Sequence, residues 1–168
     1  MHPRHGIMNI DVLSFERLAH RVFSEVGGEP RKILEDTGKS LVLRKLAEEK
    51  KDELTLLGGS LRKLGYISEV KSLLSEFVQY RIEPEDLTQI MEQNKSNPQL
   101  YFKLKDMKVI YESFRQYLKD TYLTAEELLK ALEDTVEQSR SVRNSVIVLD
   151  GYHGFTPIQL GLIGRLLT

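Results

Sequence analysis

The sequence contains no cysteine among its 168 residues. That absence excludes disulfide bonds, thiolate zinc sites, iron–sulfur ligation and a cysteine nucleophile within this chain. No run of about 18 apolar residues is present, and the first residues, MHPRHGIM, lack the apolar core of a signal peptide. These absences favour a cytoplasmic protein that has no membrane contact.

An excess of charge of either sign is also missing. The 24 Lys and Arg residues nearly balance the 25 Asp and Glu residues, which leaves a formal net charge of -1. The overall charge therefore does not attract nucleic acid, and a DNA contact has to come from a local basic patch. The length and the 40% of hydrophobic residues predict a single core of ordinary domain size.

The most informative stretch is SVIVLDGYHGFTP, residues 145–157. Its four apolar residues 146–149 predict a short strand buried on both faces, which places Asp150 at the carboxyl end of that strand. Ligands of open α/β sheets bind at that edge, and in P-loop NTPases an aspartate there holds the Mg²⁺ that bridges the nucleotide phosphates. The alternative is that Asp150 and Gly151 form an ordinary turn.

The rest of the pattern is mostly helical. Residues 9–13 predict a first short strand, and Ser14 is the expected N-cap of a helix from Phe15 to Val26 that Gly27 ends. Apolar residues at three- and four-residue spacing, with caps and prolines before them, predict further helices from near Thr37 and over residues 67–80, 82–91, 100–118, 124–138 and 158–167.

Two short patterns need separate consideration. GKS at residues 38–40 lacks the upstream glycine and the buried strand of a P-loop, so we expect no phosphate cradle there. The helix over residues 100–118 carries lysines on its outer faces, among them Lys103 and Lys108, with aromatic residues nearby. Such a face can contact a nucleic-acid backbone, although a face that is only solvated has the same pattern.

The order of the elements predicts a mainly α fold with an α/β part. Strand–helix pieces at residues 7–28 and 141–168 flank a helical subdomain over residues 29–140. The two strands can pair in parallel only through a crossover, and an isolated two-stranded sheet is marginal. We therefore predict that both strands belong to a larger parallel sheet into which the helical subdomain is inserted.

Two motifs resemble those of superfamily 1 helicases. Residues 12–28, VLSFERLAHRVFSEVGG, resemble motif Ib of UvrD-type helicases, and residues 147–163, IVLDGYHGFTPIQLGLI, resemble their motif II region. Together with the segments GKSLVLRK and SEFVQYRIEPEDL that lie between them, these two motifs resemble the B subunit of the AddAB (RexAB) helicase–nuclease of Gram-positive bacteria. The resemblance covers nearly all of the chain from Ile7 onward. It implies an internal fragment, the helical domain 1B flanked by parts of the RecA-like domain 1A.

The resemblance also implies a function. The B subunit of that family has an inactive helicase-like amino-terminal half and a nuclease domain with an iron–sulfur cluster, and it scans for the recombination hotspot Chi. With an A subunit and ATP and Mg²⁺, the complex processes double-strand breaks for recombinational repair. This chain is expected to act there as scaffold and path for DNA, with no catalytic residue, metal or cofactor of its own.

The resemblance assigns roles to three residues. Asp150 falls on the Mg²⁺-coordinating acid of motif II, but Gly151 replaces the glutamate of active helicases, so the acid is expected to be vestigial. Ser14 and Phe15 fall where active relatives contact the backbone of single-stranded DNA and stack on a base, an interaction of about 1–3 kcal/mol. If the chain does not bind DNA, Ser14 serves only as the cap of the helix and Phe15 only as a core residue.

A second hypothesis belongs to another class. The chain could be a free-standing helical protein-interaction module that binds neither nucleic acid nor nucleotide. Only the helicase hypothesis requires the two predicted strands to lie side by side, with Ser14 and Asp150 at one edge.

Overall fold

The structure, a computed structural model, describes residues 10–60 and 64–167. The fold is mainly α-helical, as predicted, with one small parallel sheet. In chain order the elements are α1 (Phe15–Val26), β1 (Lys32–Ile33), α2 (Asp36–Glu49), α3 (Leu64–Gln79), α4 (Pro84–Gln93), α5 (Pro98–Leu118), β2 (Tyr122–Leu123), α6 (Ala125–Thr135), a 3₁₀ turn (Val136–Gln138), α7 (Arg140–Arg143) and α8 (Pro157–Leu166).

Helix α1 confirms its predicted limits. The backbone N–H of Arg17 donates to the Ser14 hydroxyl at 3.3 Å, which satisfies one of the first unpaired amides of the helix. At the other end Gly27 takes a φ of 89°, a conformation that favours glycine, and its N–H donates to the Phe23 carbonyl. Local sequence signals therefore set both ends of the helix.

Helix α5 is the longest and also agrees with the prediction. Asn97 caps it by accepting the Leu100 N–H at 3.2 Å, and Pro98 occupies its first turn. Its predicted inner side is buried or half-buried throughout, at Leu104, Met107, Ile110, Tyr111, Phe114 and Leu118.

The strands differ from the prediction. The parallel pair joins Lys32 to Tyr122 and Ile33 to Leu123, and the chain between them includes α2 to α5. Residues 10–13 and 146–149 form no strand, and Asn9 lies outside the described residues. Their apolar, β-branched composition suits a strand, but a strand also needs a neighbouring strand to pair with, and none of the described strands lies beside them.

Apolar residues form two separate cores. The α2–α5 core comprises side chains of α2, α3, α4, α5 and the connection after α2, from Val42 to Leu118. The α1–α6–α8 core joins α1, β2, α6 and α8, and its buried residues are Ala19, Val22, Leu123, Leu128, Leu132, Val136 and Leu162. The cores meet where α3 contacts α6 and α8.

Asp106 fixes the connection that follows α2. This carboxylate is fully buried and accepts backbone N–H groups from Thr55 at 2.9 Å, Leu56 at 2.6 Å and Leu57 at 2.9 Å. A buried charge is costly unless hydrogen bonds replace its hydration, and here three donors do so. The sequence shows Asp106 only as one of several charged residues on a helix. In the structure its buried carboxylate holds the backbone of residues 55–57 in place.

Candidate nucleic-acid interface

An aromatic cluster joins the two helicase-like motifs. The Phe15 ring lies 5.5 Å from the Tyr152 ring, and the Tyr152 ring lies 5.0 Å from that of Phe155, measured between centroids. Phe15 and Phe155 are half-buried, whereas Tyr152 keeps 42% of its surface exposed. The residue that begins α1 thus lies beside the loop that follows Asp150, although neither residues 10–13 nor residues 146–149 form a strand.

The first helix and the last hold this cluster from two directions. Phe15 begins α1, whose Ala19 and Val22 are completely buried in the α1–α6–α8 core. Phe155 directly precedes α8, where the Thr156 N–H donates to the Gln159 side chain at 2.9 Å and Ile158 is buried. Both helices pack on α6, so Phe15 is placed by a packed helix and Phe155 adjoins another, while Tyr152 lies in the segment before α8.

A third contact fixes the chain that leads to the cluster. The Glu25 carboxylate accepts the Ser139 and Ser141 hydroxyls at 2.6 Å each and the Arg140 N–H at 2.7 Å. The Ser139 hydroxyl, followed by that of Ser141, lowers the pKa of Glu25 to about 2. Glu25 thus ties the start of α7 to α1 in its ionised form.

Ser14 and Asp150 are both exposed. The Ser14 hydroxyl accepts the capping bond from Arg17, and its own proton is available to a ligand. Asp150 lies in an irregular segment before Gly151, which takes a φ of 78°. Since no sheet edge forms here, the predicted position of Asp150 at the end of a buried strand was wrong.

The described residues do not fit a nucleotide–metal site. Nowhere in residues 10–60 and 64–167 do three His, Asp or Glu side chains come together as a metal would require. GKS lies inside α2 rather than in a phosphate loop, and the Lys39 ammonium is 3.1 Å from Glu126.

The two predicted lysines do not share a face. Lys103 is exposed, whereas Lys108 lies 3.7 Å from Glu112 in an ion pair. Five residues correspond to about 140° around a helix, so the two side chains point in different directions. Both lie on α5, which contributes to the α2–α5 core, while Phe15 of the aromatic cluster packs against the other core.

Tyr152 and Phe155 were not predicted as site residues. Their signal was the GYHGF sequence, in which two aromatic residues alternate with polar residues and glycine directly after the motif II-like acid. Glu25 gave no signal, because an acid in the last turns of a helix does not reveal which distant backbone it binds.

Comparison with known proteins bears on this geometry. The family model described as "ADDB, N-terminal" matches residues 1–168. The chain belongs to this family. It is 45% identical over 167 residues to the B subunit of the ATP-dependent helicase/deoxyribonuclease of Lachnoclostridium phytofermentans, with 99% of this chain covered. The proteins of the same name from Alkaliphilus metalliredigens and Bacillus subtilis are 36% and 32% identical, with 96% of this chain covered.

This member of the ADDB N-terminal family is short beside its relatives. The matches span 15% of the Lachnoclostridium protein and 14% of the other two. The predicted resemblance to the B subunit is thus confirmed. Among the helices that the structure describes, none is both long and apolar enough to cross a membrane.

Proposed function

We propose that this chain forms part of the path of single-stranded DNA in the B subunit of a helicase/deoxyribonuclease and acts there as a scaffold without catalytic residues. The observation that carries the proposal is the Phe15, Tyr152 and Phe155 cluster. It joins two segments that resemble helicase motifs, and its central ring is exposed.

An exposed ring on a supported cluster suits base stacking. Every base has a π-face, so stacking on an aromatic ring binds single strands with little sequence preference. Phe15 packs against the α1–α6–α8 core, Phe155 is half-buried, and Tyr152 offers the accessible surface. In this proposal Ser14 contacts the backbone of the same strand, because it adjoins Phe15 and is exposed.

The segments beside the cluster are proposed to be strands of a RecA-like sheet in the longer protein. Val146 is 94% exposed and Val148 81% exposed, and residues 10–13 include the exposed Ile10 and Val12. Pairing with further strands would bury these apolar side chains and satisfy their backbone groups. The α2–α5 core would then be a helical insertion in that sheet.

Lys103 and Lys108 are proposed as contacts to DNA phosphates. Lys103 has no ion pair among the described residues and is the stronger candidate. Lys108 has to exchange Glu112 for a phosphate, which reduces its net contribution. Their different directions on α5 mean that they would contact separate phosphates.

The proposal places the chain in a larger assembly. Relatives are named as the B subunit of an ATP-dependent helicase/deoxyribonuclease. From that name we infer a partner A subunit, the use of ATP with Mg²⁺ and a role in double-strand-break processing in the cytoplasm. The iron–sulfur cluster expected from the family would lie in another part of the longer protein, since this chain has no cysteine.

One observation favours a second function. Apolar side chains are exposed at Val146, Val148 and Leu160, beside the α1–α6–α8 core. Such a surface is typical of protein contacts. A protein-interaction module without nucleic-acid binding is therefore the alternative.

Fluorescence anisotropy with a labelled single-stranded oligonucleotide distinguishes the two. The chain should bind at low salt and release as salt rises, since phosphate contacts displace counterions. Phe15→Leu and Tyr152→Leu keep apolar volume but remove the aromatic face, so each should weaken binding by about five- to a hundredfold. Lys103→Glu should weaken it less and should reduce the salt dependence.

Tyr80→Leu is the matched control, because Tyr80 is 57% exposed but lies at the end of α3, outside the cluster. Binding unaffected by Phe15→Leu and Tyr152→Leu would place the DNA path elsewhere. A complete lack of binding at low salt would favour the interaction module.

A further inference from the structure

Arg81 has an unusual backbone. It takes a φ of 58° two residues after the end of α3, in the left-handed region that favours glycine. The Ile82 N–H donates to the Phe77 carbonyl at 2.7 Å, a bond that closes the end of the helix with Arg81 at the strained position. Glycine would fit this backbone better, so the presence of arginine here indicates that its side chain has a role.

That side chain reaches across to the other core. An Arg81 guanidinium nitrogen lies 2.6 Å from a Glu133 carboxylate oxygen of α6. The pair passes over Gly161 of α8: a Cβ at Gly161 would lie 2.0 Å from the guanidinium and 2.5 Å from the carboxylate. The missing side chain of Gly161 therefore makes room for the ion pair between three helices.

The Arg81–Glu133 ion pair bridges a gap between the two cores and does not lie on a tightly packed surface. A cleft of about 210 Å³ lies beside it, with Val78 and Tyr111 of the α2–α5 core on one side and Lys130 and Ile158 on the other. Apolar contact between the cores is thus incomplete here. Glu133 is only 13% exposed, so its carboxylate depends on this partner more than a surface acid would.

We propose that Arg81 is a positioning residue that holds α8, and with it the Tyr152 to Phe155 segment, in a fixed orientation to the α2–α5 core. Ile158 lies at the cleft, Gly161 lies under the ion pair, and Phe155 lies just before the same helix. A fixed α8 keeps the aromatic cluster assembled between α1 and α8. The DNA-binding consequence rests on the proposed function, whereas the positioning itself does not.

Amide hydrogen exchange of the 168-residue chain without DNA tests the positioning. Arg81→Gly removes the ion pair but relieves the backbone, so residues 152–162 should exchange about two- to fivefold faster while the denaturation midpoint does not fall. Arg81→Lys keeps the charge and should retain slow exchange. A purely structural residue would instead lower the midpoint and speed exchange throughout the chain.

Gly161→Ala breaks the same contact without altering either charged residue. Its methyl group displaces the side-chain ends of Arg81 and Glu133, so exchange in residues 152–162 should rise as in Arg81→Gly, and the double variant should add no further change. Gly164→Ala is the matched control, because no atom lies within 4 Å of its Cβ position. Unchanged exchange in Arg81→Gly, or additive effects in the double variant, would overturn the proposal.

Oligonucleotide binding by the same variants separates this inference from the proposed function. Arg81→Gly should weaken binding to the extent that it lowers the fraction of molecules in which the aromatic cluster is assembled, and Arg81→Lys should restore it. If the unaltered chain binds no DNA, the proposed function fails while the exchange data still decide whether Arg81 positions α8.

Discussion

The two cores of this chain differ in size and in how the sequence builds them. Among the described residues, 16 buried apolar side chains form the α2–α5 core and seven form the α1–α6–α8 core. The first lies within one continuous stretch, residues 42–118, whereas the second brings together α1, α6 and α8 from distant parts of the chain. Local contacts close at a lower entropic cost, so the larger core should be the more independent unit.

The two cores also differ in their expected roles: the larger one contributes mainly to stability, and the smaller one supports the aromatic cluster. The α2–α5 core has more buried side chains, whereas Phe15 of the aromatic cluster packs against the α1–α6–α8 core. The aromatic stacking surface proposed for DNA thus lies on the part with the smaller core, whereas Lys103 and Lys108 lie on the part with the larger one. Contacts across the boundary, such as Lys39 with Glu126 and Arg81 with Glu133, therefore matter for the site as well as for stability.

The largest effect is expected from Asp106→Ala in the larger core. It removes a buried carboxylate that accepts three backbone N–H groups, and we expect a loss of about 4 kcal/mol in the free energy of unfolding. Urea denaturation measures it. Because the smaller core packs on the larger one, hydrogen exchange should rise in both.

Asp106→Asn is the control for this change. Its amide oxygen still accepts part of the hydrogen bonds, so it should retain part of the stability. A loss no larger for Asp106→Ala than for Asp106→Asn would contradict the role of the three acceptor bonds.

Leu132→Ala tests whether a change in the smaller core also affects the larger core. Leu132 is fully buried in the α1–α6–α8 core, and its truncation should cost about 3 kcal/mol. Exchange should rise in α1, α6 and α8 while α5 stays protected, since the α2–α5 core does not depend on Leu132. Equal exposure of α5 would show that the two cores unfold as one unit.

The same comparison explains what could be predicted from sequence. The helices were predictable because their signals are local: Ser14, Asn97 and Thr124 cap them, and their apolar spacing continues over several turns. The strands were not, because β1 and β2 have two residues each and show no alternation. Residues 146–149 have strand composition, but composition does not supply a pairing partner.

The candidate site was predictable in part for a similar reason. The helicase hypothesis placed Ser14 and Asp150 at one edge of a sheet, and the structure instead makes Phe15, which adjoins Ser14, a neighbour of Tyr152. The roles of Asp106 and Arg81 depend on partners 25 or more residues away, and no local pattern specifies such partners.

A smaller effect is expected from Lys39→Met at the boundary between the cores. Burial raises the pKa of Glu126, but the Lys39 charge and several hydrogen bonds outweigh it, so its pKa is lowered overall. Without Lys39 the half-buried carboxylate loses its counterion, which should cost about 1–2 kcal/mol at neutral pH. Urea denaturation at about pH 7 and about pH 4 measures it.

The sign of the pH effect follows from that lowered pKa. The ion pair contributes stability above the ordinary carboxyl pKa, and the contribution is lost as pH falls and Glu126 takes up a proton. The difference between Lys39→Met and the unaltered chain should therefore shrink at acid pH. Lys51→Met is the control, since Lys51 lies 3.6 Å from Glu48 on an exposed surface and should have little effect.

The smallest effect concerns Glu25, which ties α7 to α1 in the smaller core. Its pKa is about 2 against an ordinary 4.5, so its contribution is complete above about pH 4.5 and is lost as pH falls toward 2. Glu25→Gln should lower the melting temperature slightly at about pH 7, and the difference should shrink as pH falls toward 2 and the Glu25 carboxylate takes up a proton. Glu16→Gln, an exposed change on the same helix, should show no such convergence. A difference for Glu25→Gln that stays constant with pH would mean that the geometry of the carboxylate, and not its charge, holds residues 139–141 to α1.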